Sequence, residues 1–102
     1  MKFMADEMLE GLPALLRQRG IDCRTPYEWI DGTKEKKRTI KDWEIRKFLS
    51  KKKSQGEDIT LITTDGDSCD QVRADGLPVI YVPEVIRDYI VSSEKSPGQQ
   101  DC

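Results

Sequence analysis

The stretch DITLITT (residues 58–64) decides the fold, and the acidic turn Asp65-Gly66-Asp67 follows it directly. β-Branched residues dominate this stretch and polar turns bound it, a pattern typical of a buried strand. The short run KFMA (residues 2–5) is a second apolar segment, and it ends in Asp6 and Glu7. The sequence therefore predicts two buried strands, each with carboxylates just beyond its C-terminal end.

Further helices and strands surround these two strands along the chain. The hydrophobic periodicity predicts a helix over residues 8–19, a strand over 21–24, a polar loop over 25–38 with one helical turn around 27–29, a helix over 39–53, a short helix over 68–74, a strand over 77–82 and a last helix over 84–91. Pro13 either kinks the first helix or lies in the first turn of a restarted one. Thr39 is the predicted N-cap of the second long helix, with Asp42 in a capping-box position. The residues expected on the inner face of that helix are Ile40, Trp43, Phe48 and Leu49.

The alternation of strands and helices predicts the fold class. It argues for an α/β fold, a three-layer sandwich with a central, mostly parallel sheet of about four strands and helices on both faces. Residues 1–93 are predicted to form a single domain and residues 94–102 a flexible C-terminal tail. In such sheets ligands bind beyond the C-terminal ends of the strands, so the chemistry is expected there.

Composition excludes several classes of protein. The 102 residues include no histidine, which excludes Ser-His-Asp and Cys-His hydrolases and zinc sites built on imidazole. Three cysteines without a C-x-x-C pair indicate reduced thiols, as expected of a cytoplasmic protein. No run approaches the ~20 apolar residues of a membrane span, and the acidic segment MKFMADEMLE is not expected to act as a secretory signal.

Charge is divided unevenly along the chain. Residues 24–53 hold 11 Lys and Arg against 5 Asp and Glu, whereas the remaining residues hold 6 against 14. A basic middle on an acidic body suggests a surface for a polyanion, and a merely solvated helix face is the alternative interpretation.

The acids near the predicted strand ends form the candidate site. If the first and third strands are neighbours, the acids that follow them meet at one edge of the sheet, where the start of the second long helix adds two more. These residues are Asp6, Glu7, Asp65, Asp67, Asp42 and Glu44. Clustered carboxylates need a compensating charge, and oxygen ligands without histidine or cysteine favour Mg²⁺ or Mn²⁺. The alternative is that each acid serves only as a helix cap or in a polar turn.

Four segments, in order along the chain, match the pattern of a known family. The opening reads KFMADEML (residues 2–9), followed by LLR (15–17) and GID (20–22). It resembles the opening of the small PIN-like domains, in particular the Mut-seven C-terminal and VapC-like groups. The later segments KDWEI (41–45), ITLITTDGD (59–67) and GLPVIY (76–81) resemble the segments that follow in that family. PIN-like domains carry a parallel sheet and an acidic cluster that binds Mg²⁺ or Mn²⁺ to cut RNA.

The resemblance implies a metal-dependent ribonuclease, either a toxin or an RNA-processing factor. The implied catalytic and metal-binding acids are Asp6, Asp42, Asp65 and Asp67, with Asp70 as a substitute for an acid that longer PIN domains take from a later helix. The residues expected to contact RNA phosphates are Lys34, Lys36, Lys37 and Arg38, with Tyr27 and Trp29 either stacking on bases or packing in the core. The expected partners are RNA and, for a toxin, an antitoxin-like protein; a homodimer is left open and no membrane is expected.

Two alternatives remain open at this point. Gly66 and Ser68 stand where the family usually has a basic residue and an aromatic one, which favours a PIN-like module that binds RNA or protein with weakened cleavage. A phosphoacceptor receiver domain also carries acids after its first and third strands. It needs a lysine after a later strand, where this chain has Pro83 and Glu84.

Overall fold

The computed structural model describes residues 1–83, which form a four-stranded parallel sheet with helices on both faces. The strands are β1 (Lys2–Ala5), β2 (Asp22–Arg24), β3 (Ile59–Thr63) and β4 (Val79–Tyr81). The helices are α1 (Leu12–Gln18), α2 (Pro26–Ile30), α3 (Asp42–Ser54) and α4 (Gly66–Ala74), and a single 3-10 turn spans Glu7–Leu9. The predicted three-layer α/β class is confirmed. The helix predicted over 84–91, the tail predicted over 94–102 and the end of the predicted domain 1–93 lie outside the described residues.

The strand order places the ends of β1 and β3 side by side. The order in the sheet is β2-β1-β3-β4, and every pair is parallel, with Met4 opposite Arg24 on one side and opposite Leu61 on the other. The chain moves outward from β1 to β2 and then crosses back to β3, so the direction of winding reverses between β1 and β3. Ligands of open α/β sheets bind at such a switch point.

Two apolar layers hold the sheet in place. On one face Met4 and Leu61 pack against residues of α3 and α4. On the other face Ala5 and Ile62 pack against the 3-10 turn and α1. This alternation follows from the two-residue period of a strand. The ends of β1 and β3 are therefore fixed relative to α3 and α4, which begin near them. No helix within residues 1–83 is long and apolar enough to cross a lipid bilayer.

The helix that carries Asp42 begins later than the sequence predicts. Asp42 is its first residue, so the prediction that Thr39 is the N-cap is wrong. The backbone N–H of Lys41 donates to Glu44 Oε2 at 2.9 Å, so the carboxylate at the third helical position ties the start of the helix. Ile40 is buried, and anchoring it in the core leaves Lys41 in an extended conformation just before the helix.

The inner face of α3 also differs from the prediction. Ile45, Phe48 and Leu49 pack in the core, whereas Trp43 is 63% exposed. Residues two apart on a helix differ by about 200° in direction. Trp43 therefore lies on the side opposite Ile45. The prediction is correct for Phe48 and Leu49, wrong for Trp43, and it missed Ile45; Ile40 is buried but precedes the helix.

Two further elements refine the prediction. The first predicted helix divides into the 3-10 turn and α1, with Pro13 in the first turn of α1, so the restarted helix is the correct alternative. The strand predicted over 77–82 is shorter and lies at the edge of the described sheet, where Ile80 and Tyr81 are each 46% exposed. Within residues 1–83 it pairs with β3 alone.

The buried cysteines give a test of the core. Cys23 and Cys69 are free and buried, and burial raises the pKa of the Cys23 thiol to about 11. We expect a Cys102→Ser variant at pH 7 to react with a thiol reagent about 100-fold more slowly when native than in urea, because both remaining thiols are enclosed and the raised pKa of Cys23 keeps its nucleophilic thiolate scarce. Ellman's reagent measures both rates. Rapid reaction of two thiols in the native protein would contradict this packing.

Candidate metal centre

Acidic side chains line a cavity at the switch point of the sheet. The cavity has a volume of about 210 Å³ and its lining includes Asp6, Glu7, Asp42 and Asp65. Asp6 follows β1, Asp65 follows β3 and Asp42 begins α3. The structure thus brings together three of the four predicted metal-site acids, together with Glu7. The volume suffices for a cation with several waters, each of which occupies about 30 Å³.

Asp6 is held in position by its neighbours. The hydroxyl of Thr63, which is fully buried, donates to Asp6 Oδ2 at 2.7 Å, and the backbone N–H of Met8 donates to Asp6 Oδ1 at 3.2 Å. The same hydroxyl accepts from the backbone N–H of Asp65 at 3.1 Å. One buried hydroxyl therefore links the residue after β1 to the residue after β3. Both the capping role and the site role of Asp6 fit these contacts.

Asp65 has two distinct carboxylate environments. Its Oδ1 caps α4 by accepting from the backbone N–H groups of Asp67 at 2.9 Å and Ser68 at 3.5 Å. Its Oδ2 lies 3.3 Å from Ser68 Oγ. A cap uses one oxygen and leaves the second available for another ligand. Asp65 is therefore a helix cap, as the alternative interpretation of the acids predicts. This role leaves its second oxygen available to a cation.

Ser68 joins two of the acids. Its Oγ lies 3.3 Å from Asp42 Oδ2 and 3.3 Å from Asp65 Oδ2. A hydroxyl carries one proton, so it can donate to only one of these two oxygens at a time. The other carboxylate oxygen faces a lone pair, and a cation between the acids would relieve that contact. Sequence reasoning treated Ser68 only as a departure from the family pattern.

Glu7 is the fourth acid of the cavity. Its Oε2 accepts from Lys36 Nζ at 2.8 Å, which raises the pKa of Lys36. Its Oε1 is buried and has no hydrogen-bond partner within residues 1–83. A buried carboxylate oxygen without a donor is costly, so this atom is suited to a ligand that supplies positive charge. The sequence placed Glu7 in the opening motif without choosing between this role and a role in the helix.

Asp67 does not join the cluster. It is exposed, it lies in the first turn of α4 and it does not line the cavity. Asp65 is the N-cap of α4, so the helix begins at Gly66. Asp67 therefore lies within the first turn of the helix and not at the end of β3. Asp70 is also remote, since its side chain is 79% exposed and lies 3.8 Å from Arg73.

The predicted RNA-binding residues divide into two pairs. Lys36 is paired with Glu7, and Arg38 with Asp31 and Glu44, each at 2.8 Å. Lys34 and Lys37 are exposed and form no ion pair within the described part of the chain. Two of the four cations are therefore already compensated.

Trp29 packs in the core. Its Nε1 donates to the carbonyl of Phe3 at 2.8 Å, its ring lies beside Phe48, and the Arg24 guanidinium lies 4.7 Å from the ring centroid. These contacts tie α2 to β1. Of the two interpretations of this residue, core packing is the one that the structure supports.

The donor atoms of the cavity are of the kind that suits a hard divalent cation, although the described acids are too far apart for three of them to share one ion. Carboxylate and hydroxyl oxygens are the ligands that Mg²⁺ and Mn²⁺ prefer. Within residues 1–83, no three acidic or cysteine side chains lie close enough together to share one ion in this arrangement. Asp42 and Asp65, which share contact with one hydroxyl, are the natural first pair of ligands. Asp6 and Glu7 are the other two acids that line the same cavity.

Comparison of the chain with protein-family models, with curated proteins and with solved structures found no match. The likeness to PIN-like domains therefore stays a prediction from the sequence. The α/β architecture and the acidic cavity at its switch point are what the structure adds.

Proposed function

We propose that this protein is a divalent-metal-dependent ribonuclease of the PIN-like type, with Mg²⁺ or Mn²⁺ as its cofactor. The observation that carries the proposal is the meeting of Asp6, Asp42 and Asp65 in one cavity at the switch point of a parallel sheet. These acids come from three separate segments of the chain. Asp42 is not the N-cap of α3, so helix capping does not account for its place in the cavity.

The residues of the cavity have separable roles in this proposal. Asp6, Asp42 and Asp65 would hold the cation, and the Thr63 hydroxyl keeps the Asp6 carboxylate oriented. A cation bound there would polarise a phosphoryl oxygen of RNA and lower the pKa of a bound water. Ser68 Oγ lies between Asp42 and Asp65, 3.3 Å from one oxygen of each. Asp67, exposed outside the cavity, is left without a role as a ligand.

The basic residues beside the cavity supply the contacts to RNA. Lys34 and Lys37 are exposed, and Lys36 between them reaches Glu7 on the cavity wall. A phosphate backbone that crosses this segment would therefore approach the acids. Phosphate contacts of this kind are independent of sequence and weaken with salt. RNA as the substrate and reduced buried thiols both accord with a cytoplasmic location.

Cleavage of RNA tests the proposal directly. We expect the purified protein to cut a labelled single-stranded RNA in the presence of Mn²⁺ and to stop when EDTA is added, because the acids alone do not generate a nucleophile. Gel analysis of the fragments over time measures the rate. A catalytically inactive variant purified in parallel controls for contaminating nuclease. Cleavage that persists in EDTA would count against a metal-dependent site.

A weakened PIN-like binding module is the second candidate. The observation that favours it is the spacing of the acids, since no three of them share an ion in the described arrangement. RNA affinity that falls steeply with salt, without cleavage in Mn²⁺ or Mg²⁺, would select this candidate. An antitoxin-like protein and a second copy of the chain stay the predicted protein partners for either candidate.

A further inference from the structure

A segment without regular structure, residues 31–40, lies against the acidic cavity and is called the strap here. It connects α2 to α3. Ile40, at its C-terminal end, is buried and lines the cavity. Lys36, in its middle, forms the ion pair with Glu7 on the cavity wall. The strap therefore contacts the cavity at two points, one apolar and one ionic.

Arg38 holds the two ends of the strap together. Its guanidinium forms two hydrogen bonds with Asp31, at 3.0 and 2.8 Å, and two with Glu44, at 2.8 and 3.1 Å. Paired bonds of this kind fix geometry better than a single contact. The backbone N–H of Thr33 also donates to the carbonyl of Tyr27 in α2, at 3.3 Å, so residues 34–37 are the part of the strap between its fixed ends.

Lys36 is the cation that the strap supplies to the acids. Arg46 also lines the cavity, but its guanidinium pairs with both oxygens of Asp75, at 2.7 and 2.8 Å. The second oxygen of Glu7 is buried, and no group within residues 1–83 donates a hydrogen bond to it. The Lys36 side chain of this ion pair is 48% exposed, and exposed ion pairs are weak.

We propose that Glu7 joins Asp6, Asp42 and Asp65 as a further ligand when the cation binds, so that the cation competes with Lys36 for Glu7 and metal binding releases the strap from the cavity. The inference rests on the proposed metal site and names how that site is regulated. The released lysine joins Lys34 and Lys37 on the strap, and three adjacent cations then face solvent. Occupancy by the metal thereby strengthens binding of the RNA backbone. Because coupling between two ligands is reciprocal, RNA strengthens binding of the metal to the same extent.

Metal affinity in two matched variants tests the competition. Lys36→Met removes the competing cation, and Lys34→Met removes an equal charge from the same strap without touching Glu7. We expect titration calorimetry to show Mn²⁺ binding about 3-fold tighter in Lys36→Met than in Lys34→Met, as the loss of one exposed ion pair allows. Equal Mn²⁺ affinity in the two variants overturns the inference.

Limited proteolysis gives a second readout that is independent of activity. Trypsin cleavage after Lys34, Lys36 and Lys37 is expected to become faster in the wild type when Mn²⁺ is added, with cleavage after Lys51 as the internal reference. A strap cleavage rate that Mn²⁺ leaves unchanged relative to that reference overturns the inference. If the wild type binds Mn²⁺ and cuts RNA but either test fails, only the competition is wrong. If it binds no Mn²⁺ at all, the proposed metal site fails with it.

Discussion

The Asp65→Asn variant is expected to lose Mn²⁺-dependent RNA cleavage by about 100-fold or more while it folds like the wild type. Asparagine is as good an N-cap as aspartate, so the amide oxygen can still accept from Asp67 and Ser68 at the start of α4. The substitution removes the negative charge that the cavity needs for a cation. Loss of a residue that only hydrogen-bonds to a metal ligand typically costs about 10- to 100-fold in metal affinity or activity, and a lost ligand is expected to cost at least as much.

The matched control is Asp67→Asn, which removes an equal charge two residues away. Asp67 is exposed and lies outside the cavity. We therefore expect the Asp67→Asn variant to cleave RNA at a rate within about 2-fold of the wild type. Single-turnover rates on the same RNA measure both variants, and circular dichroism with urea unfolding checks their folding. Full activity in Asp65→Asn, or an equal loss in Asp67→Asn, would remove the assigned site.

The two tryptophans are expected to differ sharply in their contribution to stability. Trp29→Ala is predicted to lower the free energy of unfolding by about 2–4 kcal/mol, because it deletes a partly buried ring and leaves the carbonyl of Phe3 without its donor. Trp43 is 63% exposed, so Trp43→Ala is predicted to change it by about 0.5 kcal/mol or less. A small domain has only about 5–15 kcal/mol in total, so the first loss is large.

Urea titrations followed by far-ultraviolet circular dichroism measure both variants without relying on tryptophan fluorescence. The slope of the unfolding transition should stay the same, which shows that the compared states are equivalent. Similar losses in the two variants would mean that Trp29 is not the anchor between α2 and β1. A larger loss in Trp43→Ala would mean that α3 presents a different face to the core.

The backbone could be predicted largely from local patterns in the sequence. The stretch 58–64 combines β-branched residues with polar boundaries, and it is β3, the strand that pairs with both β1 and β4. Because the carboxyl ends of neighbouring parallel strands meet, the positions of Asp6 and Asp65 followed from the strand order. The start of α3 could not be predicted in this way. It depends on the burial of Ile40, a tertiary contact that overrides the local capping signal at Thr39.

The polar contacts of the site could not be predicted, because they join residues distant in the chain. The contact of Ser68 with Asp42 crosses from α4 to α3, and Lys36 reaches Glu7 from the strap. Neither contact has a local signature in the sequence. The contact of Ser68 with Asp65 does have one, because the two residues are three positions apart at the start of a helix. The local sequence pattern was misleading for Asp67, which lies outside the cavity. Its proximity to Asp65 in sequence suggested a shared cavity, and the helix that begins at Gly66 separates them.

Calorimetric titration of Mn²⁺ into the wild type and into three single variants tests the central claim most directly. The claim is that Asp6, Asp42 and Asp65 bind one cation between them. We predict one Mn²⁺ per chain in the wild type, with affinity at least about 10-fold weaker in each of Asp6→Asn, Asp42→Asn and Asp65→Asn, and unchanged in Asp67→Asn. Affinity that is the same in the wild type and all three variants, or no Mn²⁺ binding in the wild type, would contradict it.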